Sequence, residues 1–76
     1  MTFERGDQVV VKVNGTHRVG VIASRTRLKR GWIYSVELEN GKMMDSCSVN
    51  KDLSDCHIVR GLTKTLKNAE RNQENI

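Results

Sequence analysis

Four cations crowd into six residues of this chain: Arg25, Arg27, Lys29 and Arg30, followed at once by Gly31 and Trp32. Lys and Arg held on an exposed segment contact phosphates, mostly without regard to base sequence. An Arg beside an aromatic ring also offers a plane on which an unpaired base stacks. If the segment is extended, alternation puts Arg25, Arg27 and Lys29 on one face, with Arg30 across from them or in the turn. Arg18 upstream, and the rings of Trp32 and Tyr34 downstream, complete the candidate partner-binding set. An acidic protein surface would be attracted by the same charges, because a basic patch suits any polyanion. The plain alternative is a solvated basic face that serves solubility.

Other chemistry finds less support. Cys47, Cys56, His57 and His17 are the residues a metal would use, but structural zinc takes cysteines two to four positions apart. Cys47 and Cys56 lie nine apart, and Cys56 and His57 are adjacent, so on a strand they face opposite ways. The same adjacency prevents Cys56 and His57 from acting as a nucleophile and its base. Asp45, Asp52 and Asp55 fall near turns, where short acidic side chains bond local backbone. No glycine-rich phosphate loop and no partnered carboxylate pair is present. The expectation is a protein with no enzymatic activity, no cofactor and no metal.

The 76 residues allow one domain with a thin core, so a surface site fits better than a deep enclosed one. The formal net charge is +4, and it is unevenly placed. Six basic side chains and no acid occur between Lys12 and Arg30, whereas five of each sign balance between Met43 and Ile76. Two cysteines are too few for a disulfide scaffold, so reduced, half-buried thiols and a cytoplasmic location are expected. The start Met1-Thr2-Phe3-Glu4 lacks the pattern of a signal peptide, and the chain reads as a complete small gene product. No apolar run approaches the roughly 20 residues that span a bilayer, so no membrane partner is expected.

The elements that must position these residues are short strands punctuated by glycine. Gly6-Asp7 reads as a turn before a strand over Gln8 to Val13, with Val9, Val11 and Val13 on one face. Asn14-Gly15 signals a tight hairpin. A second strand runs from His17 to Ser24, with Val19, Val21 and Ala23 alternating, and Gly20 marks a bend or a close backbone approach. Arg25 to Gly31 then forms the tip of a hairpin. The third strand, Trp32 to Glu39, carries Trp32, Tyr34, Val36 and Leu38 on one face. Asn40-Gly41 is a second hairpin signal, leading to a short strand over Lys42 to Ser48. Of Met43 and Met44, one belongs to the core and the other to an exposed edge. Asn50 to Asp55 reads as one helical turn with Leu53 inward, and Cys56 to Val59 as a fifth strand. The expected core is Val9, Val11, Val21, Val36, Leu38 and Leu53. Beyond it, Leu62, Leu66 and Ala69 form a narrow helical stripe, with Leu62 and Leu66 turned toward the barrel or a second subunit.

Five short strands, two Asn-Gly hairpins and a helical turn before the last strand resemble the SH3-like small β-barrels, especially their KOW and Tudor-type members. Arg5-Gly6-Asp7-Gln8-Val9-Val10-Val11 looks like their first strand. Arg18-Val19-Gly20-Val21-Ile22 is similar to the glycine-centred second strand of KOW motifs. Tyr34 to Lys42 resembles the third strand and turn of Tudor-like domains. The likeness covers Phe3 to Arg60. It implies an all-β, five-stranded barrel over residues 1–61, with a helical or flexible tail over residues 62–76. KOW-type barrels often bind nucleic acid or the machinery of transcription and translation, and the resemblance leans the same way. Methyl-reading Tudor domains use an aromatic cage, for which Phe3, Trp32 and Tyr34 are too few. The plasmid-borne dihydrofolate reductases are similar in length and in their Gly-Asp-x-Val start, but their Val-Gln-Ile-Tyr stretch is replaced here by Lys42-Met43-Met44-Asp45-Ser46-Cys47.

The expected function is that of a small basic regulatory binding protein, monomeric or a small homo-oligomer. It would contact DNA, RNA or a nucleic-acid-handling complex through Arg18, Arg25, Arg27, Lys29, Arg30, Trp32 and Tyr34. The second reading is a protein–protein adapter or inhibitor that binds an acidic partner surface. The size and style suit a phage or mobile-element product acting on host transcription, translation or defence.

Overall fold

A computed structural model of the chain describes residues 2–51 and 54–74. Five strands, β1 (Gln8–Val13), β2 (Thr16–Leu28), β3 (Gly31–Leu38), β4 (Met43–Ser48) and β5 (Cys56–Ile58), are followed by helix α1 (Arg60–Glu74). The strands close into a barrel in the order β1-β2-β3-β4-β5. All neighbours are antiparallel except β4 and β5, which pair in parallel through Cys47↔Cys56 and Ser48↔His57. No helix among the described residues is long and apolar enough to cross a membrane.

The β1–β2 hairpin turns on Asn14-Gly15, both at positive φ (50° and 79°), with Val13 opposite Thr16. Two successive left-handed residues match the twist of the flanking strands, which is why Asn-Gly occurs there. In the barrel, Val9, Val11, Ile22, Tyr34, Val36, Leu38, Cys47, Cys56 and Ile58 form one buried cluster. Phe3, Val13, Trp32, Met44 and Val49 pack partly against it. Met44 thus faces the core and Met43 is exposed, as their adjacency requires.

Alternation in β2 runs opposite to the expectation. Ile22 is buried and Val21 is exposed, because Gly20↔Leu38 and Ile22↔Val36 are the inward pairs. Gly20 is the reason. A Cβ there would lie 2.5 Å from Val36 Cγ1 and 2.8 Å from the Glu37 carbonyl oxygen, so only glycine lets β3 come this close. Leu53, the other expected core residue, lies outside the described residues, as does Asp52. Of their neighbours, Asn50 and Asp55 are bends, Lys51 is a turn and Ser54 is irregular, and none of the four is helical.

The cysteines also depart from expectation. Cys47 and Cys56 are joined in a disulfide, with Cα atoms 4.6 Å apart, and no cysteine is left free. They come together because β5 lies alongside β4 in parallel register, with Cys47 opposite Cys56. Both sulfurs are core groups, and the bond ties two strands whose ladder has two register pairs.

Helix α1 packs on β1 from outside the barrel. The residue that docks it is Thr63, which is buried. Its hydroxyl accepts from the Val10 backbone N–H at 3.0 Å and donates to the Val59 carbonyl at 2.8 Å. Val10, on the outer face of β1, is buried as well. Leu66 is half-buried, whereas Leu62 is exposed, so the expected Leu62–Leu66 seam is replaced by one centred on Thr63.

Candidate nucleic-acid interface

The basic segment is not a loop. The strands β2 and β3 stay paired to the tip, through Arg25↔Tyr34, Thr26↔Ile33, Arg27↔Trp32 and Leu28↔Gly31, leaving only Lys29-Arg30 to turn. Beyond Val21, β2 has no partner in β1, and below Tyr34, β3 has none in β4. Residues 25–33 therefore form a two-stranded arm whose strand pairing is with itself, in a molecule 42 Å long and 24 × 19 Å across. Each residue from Ser24 to Arg30 is exposed.

A bulge aims the arm. The β2–β3 register shifts between Ile22 and Ser24, leaving Ala23 as the extra residue. Such an insertion changes which residues share a face and sharpens the local twist. Ile22 faces inward, and after the bulge the odd positions do: Arg25 sits opposite Tyr34, and Arg27 opposite Trp32. The core side of the sheet thus continues into the arm as a face of cations laid on a ring. The Arg25 guanidinium is 4.8 Å from the Trp32 ring centre and that of Arg27 is 5.5 Å away. Contacts of this kind contribute roughly 0.5–1 kcal/mol each at exposed sites and hold an otherwise loose guanidinium in place.

The arm is anchored at its base. Arg25 Nη1 donates to the Phe3 carbonyl at 3.1 Å and to Thr2 Oγ1 at 3.4 Å. The Phe3 ring meets Tyr34 edge-on at 5.7 Å, and the Phe3 N–H donates to Tyr34 Oη at 3.2 Å. On α1, the Arg60 guanidinium and the Lys67 ammonium lie 6.0 Å and 5.9 Å from the Phe3 ring centre. Arg27, Arg25, Arg60 and Lys67 are thereby gathered round two neighbouring rings, Trp32 and Phe3, contributed by the arm, the N-terminal segment and the helix.

Of the residues expected from sequence, Arg25, Arg27 and Trp32 come together, with Lys29 and Arg30 at the turn beside them. Arg18 does not join them. It pairs with Val11 near the far end of β2, on the order of 20 Å from Arg25 at ~3.3 Å per residue. Tyr34 is buried and its hydroxyl is engaged by Phe3, so its ring is core and offers no stacking plane. Phe3, Arg60 and Lys67 were not expected. Their one sequence signal is that the tail helix carries cations seven residues apart, two turns along the same face. Glu37 and Glu39 line a shallow groove with Gln8, Val19 and Val21.

The metal and thiol candidates separate. His57 Nε2 lies 3.1 Å from the Val49 carbonyl oxygen, and Cys56 is held in the disulfide. Among the described residues no group of three or more His, Cys, Asp or Glu side chains could hold a metal ion. Comparison with family models, with curated proteins and with solved structures finds no match to this chain.

Proposed function

We propose that this chain is a small, non-enzymatic regulatory binding protein of the SH3-like type, patterned like KOW and Tudor barrels, that engages nucleic acid with its β2–β3 arm. The observation that carries the reading is the ordered cation pair: Arg25 and Arg27 both lie on Trp32, on a ribbon whose strands pair with each other beyond the barrel's other ladders. A solubility face has no need of ordered cations. Phosphate contact benefits from them, since less side-chain freedom is lost when the contact forms. Arg60 and Lys67 extend the same surface onto α1, and Glu37 and Glu39 disfavour a polyanion in the groove that they line.

Fluorescence anisotropy with labelled single- and double-stranded DNA and RNA tests the reading, beginning at about 20 mM salt where screening is weak. Affinity should fall with salt at a log–log slope of roughly −2 to −4, the signature of a few phosphate contacts. Changing Arg25, Arg27 and Lys29 together to Ala should remove most of the binding. A wild-type chain that binds none of these probes at low salt sinks the reading. If the same triple substitution then abolished binding to an acidic protein instead, the surface would be that of an adapter.

A further inference from the structure

The arm has a second face, and it is uncharged. Thr26, Leu28 and Ile33 lie on the side opposite Arg25, Arg27 and Trp32, because side chains alternate along the ribbon. Ile33 is half-buried, but Leu28 is 40% exposed at the last pair before the turn. Its cross-strand partner is Gly31, which has no side chain to cover it. Lys29 and Arg30 follow immediately, and Arg27 precedes it. The tip therefore presents one bare aliphatic side chain with a cation on either side. The neighbouring aromatic cannot take this role, since two guanidinium groups already occupy the space over the Trp32 ring.

We infer that the arm enters the minor groove of duplex DNA, where Leu28 wedges between adjacent base pairs and kinks the helix. This rests on the nucleic-acid reading above and names its substrate class. The minor groove is narrow and strongly negative, so cations flanking the tip meet phosphates of both strands as it enters. An apolar side chain pushed between two base pairs unstacks them, and the bend that follows wraps more of the duplex against the protein. Here the surface that a bent duplex would meet is at the base of the arm, where Arg25, Arg60 and Lys67 gather round Phe3. Duplex RNA offers no equivalent, because its minor groove is wide and shallow and would not clasp a single ribbon.

Energy transfer between dyes at the two ends of a ~30-base-pair DNA reads the bend directly. Wild-type protein should bend the duplex by an angle within the roughly 20–90° range of side-chain wedges. It should also bind about tenfold more tightly when the duplex carries one mismatched step, where unstacking costs least. Leu28→Ala should abolish the bend and the mismatch preference, leaving a weaker, salt-dependent binding to intact duplex through the arm cations. The exposed position of Leu28 makes loss of folding easy to exclude by circular dichroism. Wild-type binding without a bend, a bend that survives Leu28→Ala, or equal affinity for duplex RNA each overturns the wedge and leaves the nucleic-acid reading standing. No binding to any nucleic acid overturns both. Leu28-dependent binding to vesicles of anionic lipid, without DNA bending, would reassign the tip to a membrane surface.

Discussion

The Arg25 guanidinium lies 4.8 Å from the centre of the Trp32 ring while its Nη1 donates to the carbonyl of Phe3. One side chain thus joins the N-terminal segment to the arm, and a planar fork is what permits it to stack and donate together. Arg25→Ala should loosen both ends. Since Trp32 is the sole tryptophan, its emission should shift to the red and its quenching by iodide should rise. The stability cost should be modest, about 0.5–1.5 kcal/mol. Arg25→Lys should restore little of this, because an ammonium cannot lie flat on the ring. Full recovery of the wild-type spectrum by lysine would show that charge alone positions the arm.

Gly20→Ala is expected to be among the most damaging single changes in the barrel. The added methyl would meet Val36 Cγ1 at 2.5 Å and the Glu37 carbonyl oxygen at 2.8 Å, and the second of these is backbone that cannot step aside cheaply. Overpacking of this kind costs typically ~1–3 kcal/mol. Thermal melting should register it as a clear drop in Tm. Val21→Ala, one position along on the exposed side, should change Tm little, and a larger loss at Val21 than at Gly20 would contradict the register described.

That pair of residues also shows what could be read from the sequence. The strands, both Asn-Gly hairpins, the inward face of β3 and the helix in the tail follow from alternation and turn chemistry, which are local. The faces of β2 do not. Val19, Val21 and Ala23 make the stronger apolar alternation, yet the inward set is Gly20 and Ile22, because the space beside Gly20 is filled from β3. A glycine in an inward position erases the pattern that would reveal it. The bulge at Ala23 then changes parity again, and that choice is made by the pairing, not by the residue. Charge alone groups Arg18 with the tip cations, although strand length separates them. Phe3, Arg60 and Lys67 meet only because the N-terminal segment and the first turns of α1 come together in the fold. The Cys47–Cys56 bond depends in the same way on which strands the closure makes neighbours.

Reduction of that disulfide should weaken the fold without abolishing it. The bond closes a loop of nine residues' separation, and loop-closure entropy assigns it about 2–3 kcal/mol. Dithiothreitol, or Cys47→Ser with Cys56→Ser, should lower the denaturant midpoint accordingly. Hydrogen exchange should quicken first at β5, whose ladder to β4 has two register pairs. An unchanged midpoint in reductant would mean that packing alone holds β5 in place.

Thr63 offers a test of how the helix is held. Its hydroxyl satisfies the Val10 N–H, a buried donor on the outer face of β1. Thr63→Val keeps the shape and removes the acceptor, at a cost of about 1–3 kcal/mol for the donor left unpaired. Leu62→Ala, on an exposed side chain, should stay within ~0.5 kcal/mol. The helix should lose exchange protection in Thr63→Val while the β2–β3 ladder retains it. If Leu62→Ala proved the more damaging, the docking seam would run through Leu62 after all.

The cations on α1 decide how far the interface extends. Arg60 and Lys67 flank Phe3, whose carbonyl binds Arg25, so a nucleic acid lying along the arm reaches them without leaving the surface. Each phosphate contact contributes about 0.9 to the salt slope on duplex DNA. Arg60→Ala with Lys67→Ala should therefore reduce the slope by roughly 1–2, and Arg25, Arg27 and Lys29 changed together by roughly 2–3, if each side chain holds one phosphate. Arg18→Ala is the internal control. It carries the same charge but sits at the other end of β2, so removing it lowers the net charge by one unit and leaves the slope unchanged. Equal effects from Arg18 and Arg60 would mean that net charge, rather than a placed surface, governs binding. A slope altered by the arm substitutions alone would confine the interface to the hairpin.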